Sequence, residues 1–299
     1  MTRFVLALLA ATALTFAGRA DKPPAAPDPF ARDNLVAWCV VPFDKKNRTP
    51  AERAEMLAKL GFKKYAYDWR AEHLPTFETE VAELAKRKIE LTAVWFPADL
   101  GPDARKLLAV IEKHKLTPQL WVTTGDPPGA DQRAKVVASA RVIAPIADEA
   151  GRLGCTVGLY NHGGWFGEPE NQLAVVAELK RKNVGIVYNL HHGHDHLDRF
   201  PALLKAMRPH LLALNLNGMV KGGDKAGKKI VPLAQGENDL ELLKVIRESG
   251  YRGPVGILGH TQDDAAERLA DNLDGLAWLT AKLAGNDPGP KPTCRTYKP

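Results

Sequence analysis

Short apolar runs and longer amphipathic segments alternate along most of the chain. The runs LVAWCVV, FKKYAYDW, IELTAVWF, PQLWVTT, TVGLYNH, VGIVYNL, LLALNLN and PVGILGH are β-branched or aromatic and of strand length. They begin near Asn34, Phe62, Ile89, Thr117, Cys155, Val184, Leu211 and Gly253. Segments such as PAERAEMLAKL, FETEVAELAKRK, DARKLLAVIEKHK, ENQLAVVAELKRK, DLELLKVIRESG and AAERLADNLDGLAWLTAKL separate them. Their Leu, Ala and Val recur at three- and four-residue intervals, which lines one helix face with apolar side chains. Gly61, Gly154 and Gly250 fall just past helices, where a residue tolerant of positive φ is favoured. Strict alternation of the two periods argues for parallel pairing. Eight such units over about 250 residues predict an α/β fold, a (β/α)8 barrel over residues 34–284. The competing doubly wound sheet loses its main support because no G-x-G-x-x-G follows the first strand.

The two ends read differently. MTRFVLALLAATALTFAGRA has a basic start at Arg3, an apolar stretch from Phe4 to Ala17, and small residues at Gly18 and Ala20. That pattern predicts a signal peptide over residues 1–20, too short and Ala-rich for a bilayer span of ~20 residues. A periplasmic or secreted location follows. Residues 21–33 read as a Pro-rich linker and 285–299 (GNDPGPKPTCRTYKP) as a disordered tail. Within the 299 residues, 45% hydrophobic and 25% charged positions exclude a fibrous, disordered or multi-span membrane chain. The net charge of +6 is spread along the sequence rather than run together, so no nucleic-acid partner is expected. Three cysteines, Cys39, Cys155 and Cys294, are too few for a disulfide framework.

In such a barrel the strand C-termini and the loops after them carry function. Trp38, Trp69, Trp95, Trp121 and Trp165 lie within or just after the first five strands. Trp69, Trp95 and Trp165 come late in their units, where a flat ring can face a sugar. Strand five ends in Tyr160-Asn161-His162 and strand six in Asn189-Leu190-His191-His192. Strand seven ends in Asn215-Leu216-Asn217 and strand eight in Gly259-His260. Imidazoles transfer protons near neutral pH, whereas amides position hydroxyls and hold developing enolate charge. The expected catalytic groups are therefore His162, His192 and His260. The expected ligand-binding groups are Trp69, Trp95, Tyr160, Asn161, Trp165, Asn189, Asn215 and Asn217, with Lys221 from the basic loop MVKGGDKAGKKIVPLAQ at residues 219–235. That loop superficially matches G-x-x-x-x-G-K, but Lys229 stands where Ser or Thr is needed and no helix follows.

The order of these motifs resembles the xylose-isomerase-like TIM-barrel group of sugar phosphate isomerases and epimerases. The resemblance spans nearly the whole chain after residue 20. It is most specific in GENDLELLKVIRESGYRGPVGI, which is similar to the family's Gly-Glu-x-x-Asp loop, its helix and its Gly-Tyr-x-Gly-Pro lead-in to strand eight. The family's Glu-Asn-His stands here as Tyr160-Asn161-His162, and its Asp-x-x-His as Asn189-Leu190-His191-His192. The resemblance implies a divalent metal held by a Glu, an Asp, a His and a Glu after strands five to eight. Those positions are Tyr160, Asn189, Asn215 and Leu258 here, so every ionisable ligand is absent and no metal is expected on them. His162, Asn161, His192 and Glu237 carry over, with Asp68 in the place of a further acidic residue.

Three functional readings follow. The first is an exported carbohydrate-active enzyme, isomerase- or epimerase-like or a lyase or hydratase. It would remove a proton beside a sugar carbonyl with His162 or His192, while Asn189 and Asn217 hold the enolate oxygen. The second is a divalent-metal site rebuilt from histidines. The third is a non-catalytic carbohydrate-binding barrel. In each the partner is a small-molecule carbohydrate, and no membrane association is expected once the signal is removed.

Overall fold

The first strand, β1 (Leu35–Trp38), pairs in parallel with β2 (Lys64–Tyr67) on one side and with β8 (Val255–Leu258) on the other, and this closes the sheet. Between them run β3 (Glu90–Trp95), β4 (Gln119–Val122), β5 (Thr156–Tyr160), β6 (Val184–Asn189) and β7 (Leu211–Leu216), each parallel to its neighbours in sequence order. The result is a (β/α)8 barrel, as the alternating periods predict. This computed structural model describes residues 28–298. The expected signal peptide and the first part of the linker lie outside the described residues.

Among the described residues nine α-helices follow the strands: α1 (Pro50–Lys59), α2 (Phe77–Lys86), α3 (Pro102–Lys113), α4 (Gln132–Arg152), the single turn α5 (Gly164–Gly167), α6 (Pro169–Leu179), α7 (Phe200–Met207), α8 (Asp239–Glu248) and α9 (Ala265–Leu283). Sequence chemistry starts them. Thr49 and Glu52 form a reciprocal capping box at α1, and the Asp131 and Asp264 carboxylates accept backbone N–H groups at the starts of α4 and α9. Their apolar faces bury against the outside of the barrel in one continuous core that includes Leu57, Leu84, Leu107, Ile143, Val175, Leu204, Leu243 and Leu276. Among the described residues no helix is long and apolar enough to cross a membrane.

The barrel interior is a second, separate core built from Val36, Trp38, Ala66, Ala93, Trp121, Tyr160, Val187, Ala213 and Leu258. Its large rings sit opposite very small residues. A Cβ on Gly158 would come within 2.4 Å of Val187 and 2.9 Å of Trp121, and one on Gly256 within 2.3 Å of Trp38. Glycine is required at both positions because Val187 and the Trp121 indole fill the volume beside Gly158, and the Trp38 indole and Asn215 fill that beside Gly256.

One expectation is corrected. The segment after α9 does not hang free: the backbone N–H groups of Arg295 and Thr296 donate to Asp271 at 2.9 and 2.8 Å. The Trp278 indole donates to the Gly289 carbonyl at 3.1 Å. Low apolar content misled here, because polar contacts to α9 order the segment.

Under the outer layer, Arg53 of α1 and Glu80 of α2 form a two-pronged pair, with both N···O distances at 2.9 Å and both side chains buried. Removing the carboxylate strands the guanidinium in an apolar layer. Glu80→Ala is expected to destabilise the fold by about 3–5 kcal/mol in urea unfolding, whereas an exposed pair such as Lys106–Asp103 is worth at most about 1 kcal/mol. Equal small effects would show that the buried pair does not hold α1 to α2.

Candidate functional site

The strand ends bring four imidazoles together. His162 follows β5, His191 and His192 follow β6, and His260 follows β8. Ring centroids are 4.5 Å apart for His162 and His192, 3.8 Å for His191 and His192, and 5.8 Å for His191 and His260. Phe43 stacks on His260 at 3.6 Å, and the Arg70 guanidinium lies over the Phe43 ring at 5.6 Å. The three residues singled out as catalytic in the sequence thus share one mouth, with His191 joining them.

A cavity of about 280 Å³ opens on this cluster, lined by His162, His191, His192, Glu168, Asp224 and Lys229 among others. A larger hollow of about 630 Å³ lies beside α1, lined by Lys46, Arg48, Glu52 and Lys59 among others, with none of the four imidazoles in its wall. The strand-end cavity is the one that gathers imidazoles, the groups able to exchange protons near neutral pH.

The imidazoles are held neutral. Burial is the largest cause throughout, and neighbouring positive charge adds to it. It pushes His192 down to about 3, with His162 and Lys229 contributing. His260 is lowered to about 4 by burial, Arg268 and Arg70. His191 lies well below the usual imidazole range, and His162, the most exposed of the four, is lowered too. Its backbone turn needs the pair that follows: Gly163 and Gly164 have φ of +85° and +62°, and a Cβ on Gly164 would meet the Asp126 carboxylate at 2.5 Å. Asp68, buried after β2, accepts from the backbone N–H groups of Val40 and Val41 at 3.1 Å each. Burial raises its carboxyl to about 7.

The amides do a different job from the one the sequence suggests. Asn189 donates to the Tyr160 hydroxyl at 2.7 Å and accepts from Asn215 at 2.8 Å and from the His191 N–H at 3.2 Å. Asn161 and Asn189 are tied backbone to side chain at 2.7 and 3.2 Å. Asn217 donates to the carbonyls of Gly218 and Lys229, both at 2.9 Å. All four amides are buried, and the donors of Asn189 and Asn217 are spent on protein rather than turned to an enolate. They orient the loops instead. Asn217 and His194, whose ring nitrogens lie 3.1 and 2.9 Å from the Val220 and Lys229 carbonyls, fasten the loop that follows β7 over the cavity.

Several other expected contacts lie elsewhere. Trp165 faces α4, its indole donating to Gln132 at 2.9 Å. Lys221 is exposed, its ammonium on Asp198 at 3.1 Å and its N–H on Glu237 at 3.0 Å, so neither Lys221 nor Glu237 reaches the imidazoles. Trp69 and Trp95 line a different hollow. Lys229, rather than Lys221, is the lysine on the cavity, and it pairs with Asp224 at 2.9 Å. Sequence distance from the strand end pointed to the wrong lysine, because the loop folds back along a bridge between Gly218 and Val231.

The positions where the family would hold its metal do not fit one. Tyr160, Asn189 and Asn215 are neutral, buried and bonded to one another, and Leu258 is apolar. Such donors cannot offset the hydration of a hard divalent cation. Among the described residues no group of three or more His, Cys, Asp or Glu side chains has metal-holding geometry.

The chain matches the family described as xylose isomerase-like TIM barrel over residues 103–282. No curated protein sequence matches it significantly. Solved structures of the same fold include the apo form of 3-keto-D-glucoside 4-epimerase from E. coli, at 14% identity, covering 83% of this chain and 99% of that one, with a TM-score of 0.62. A D-psicose 3-epimerase from Clostridium cellulolyticum H10 aligns at 16% identity over 83% and 98% of the two chains, with a TM-score of 0.58. The probable 3-DHS dehydratase of Bacillus anthracis aligns at 16% over 81% and 98%, with a TM-score of 0.62. At these identities the likeness shows the fold.

Because the native imidazoles bind protons less readily than free histidine (~6.5), the unfolded chain protonates first as pH falls. For His192 and His260 that contribution to stability is fully present above about pH 6.5 and is lost progressively as pH falls from there to about 3–4. Asp68, shifted upward, acts in the opposite sense and loses its contribution as pH rises through about 7. A histidine-resolved NMR titration separates the two: His192 and His260 are expected to titrate near 3 and 4. Midpoints near 6.5 would mean that the cluster is open to water and ordinary.

Proposed function

Since the chain belongs to the xylose isomerase-like TIM barrel family, we propose that it is a carbohydrate-active isomerase or epimerase that works without the family's metal. The observation that carries this reading is the group of neutral imidazoles meeting at the mouth, with His162 and His192 at 4.5 Å on a cavity large enough for a small ligand. A neutral imidazole has a free lone pair and can accept a proton; an imidazolium cannot.

In the proposed reaction His162, the most accessible ring, removes the proton from the carbon beside a sugar carbonyl. The C–H electron pair becomes a C=C bond, and the carbonyl oxygen takes the negative charge. His192 and the Lys229 ammonium face that oxygen from the same cavity and favour the charge as it develops. Protonation of the same carbon by water from the opposite face, with His162 giving its proton back to solvent, yields an epimer; return of the His162 proton to the former carbonyl carbon, with the neighbouring hydroxyl proton passing to the enolate oxygen so that a new C=O forms, yields an isomer. This assigns to Lys229 and His192 the oxyanion role that the sequence suggested for Asn189 and Asn217, whose donors are occupied. We also read residues 1–20 as an export signal, which favours a free or oxidised sugar over a sugar phosphate as substrate.

His162→Ala and His192→Ala are each expected to lower kcat by about 10²–10⁴-fold on the cognate sugar while leaving the fold intact. Exhaustive chelation is expected to leave turnover unchanged. Full activity in both variants would remove the proposed base and its partner. Loss of activity on chelation, restored by a divalent ion, would instead support a rebuilt metal site. Sugar binding with no turnover on any aldose, ketose or keto-sugar would support a binder.

A further inference from the structure

Trp69 and Trp95 do not line the histidine cavity. They line a hollow of about 360 Å³ at the ends of β2 and β3, with Phe96, Pro97, Asp99 and Asp103 in its wall. That volume falls in the range of small-ligand pockets, roughly 300–1,000 Å³. Both indoles are half-buried, so each presents part of its ring to solvent.

The platform is rigid. The Trp69 indole N–H donates to the Trp95 carbonyl at 2.7 Å, which fixes one ring against the backbone beneath the other. Trp95 stands edge-on to Trp38, Trp121 and Tyr160 at centroid distances of 5.7, 4.7 and 5.6 Å. Pro97 and Pro102 stiffen the wall. A ligand stacking here has little side-chain freedom to quench, which favours binding.

The chemistry of the wall selects the occupant. Its only charged groups are the carboxylates of Asp99 and Asp103, with no Lys, Arg or His. One Asp99 oxygen accepts the Gly101 N–H at 2.8 Å and one Asp103 oxygen pairs with Lys106 at 3.2 Å, and no protein donor reaches the second oxygen of either among the described residues. Anionic ligands are therefore repelled, while hydroxyl donors find acceptors beside a flat apolar ring. A neutral sugar ring, with C–H faces and hydroxyl edges, meets both conditions.

The hollow also lies close to the imidazole cavity, with one buried ring between the two. Tyr160 lies 5.6 Å from Trp95 on one side and 6.0 and 5.8 Å from His162 and His192 on the other. One aromatic ring thus divides two ligand-sized spaces on the same face of the barrel. We infer that the Trp69–Trp95 hollow is a second sugar subsite, and that the natural substrate is a neutral glycoside of at least two units rather than a monosaccharide. One unit rests on the indoles while the other meets the imidazoles; the assignment of the reacting unit rests on the function proposed above.

The test is calorimetric titration of the full chain with cellobiose, maltose and trehalose, using glucose as the single-ring control. At least one disaccharide is expected to bind tenfold or more tighter than glucose. Trp69→Ala is expected to abolish that difference, and Asp99→Asn, an exposed change that keeps an oxygen for the Gly101 N–H, to reduce it by several-fold. Equal affinity for one and two rings, or an unchanged preference in both variants, overturns the subsite. Repeating the titration in His162→Ala keeps the two proposals apart, because the disaccharide preference is expected to survive the loss of the base.

Discussion

The interior volume of the barrel is what the rest of the structure answers to. Trp38, Trp121 and Tyr160 occupy the space near the strand C-termini, with Trp38 and Trp121 only 4.0 Å apart and Trp121 stacked on Tyr160 at 6.2 Å. Rings of this size fit because the facing positions are Gly158, Gly256, Ala66, Ala93 and Ala213. Each aromatic pair adds roughly 0.5–1.5 kcal/mol beyond the burial of its surface, so the filling is a source of stability as well as a steric block. In a barrel filled this high, chemistry is displaced upward and outward, onto residues one to three positions past the strands.

That displacement explains the electrostatics. With Tyr160, Asn189 and Asn215 bonded into a neutral ladder beneath them, the imidazoles have no carboxylate below to hold their protons. Burial and the nearby Arg70, Arg268 and Lys229 charges then keep them neutral. The exchange of charged ligands for amides and a phenol therefore changes what the neighbouring histidines can do, without changing the fold that presents them.

The same block also divides the mouth. Tyr160 and Trp95 stand between the imidazole cavity and the indole hollow, and the loop after β7, fastened by Asn217 and His194, covers only the first. Two chemically different surfaces result, one rich in titratable nitrogen and one aromatic and acidic.

Local patterning determined a great deal. Period-two and period-3.6 runs, with their caps and glycines, specified eight parallel units, and a barrel of such units must present the residues after each strand on one face. His162, His192 and His260 were legible for that reason: each stands within three residues of a strand end, where position in sequence nearly dictates position in space. Side-chain direction and long-range partners were not legible. Nothing local told that Asn189 would turn its amide to Tyr160 and Asn215, that Trp165 would face α4, or that Lys229 rather than Lys221 would return to the cavity. Those outcomes depend on which atoms from distant strands compete for the same few cubic ångströms and hydrogen bonds. That competition exists only once the cylinder has closed.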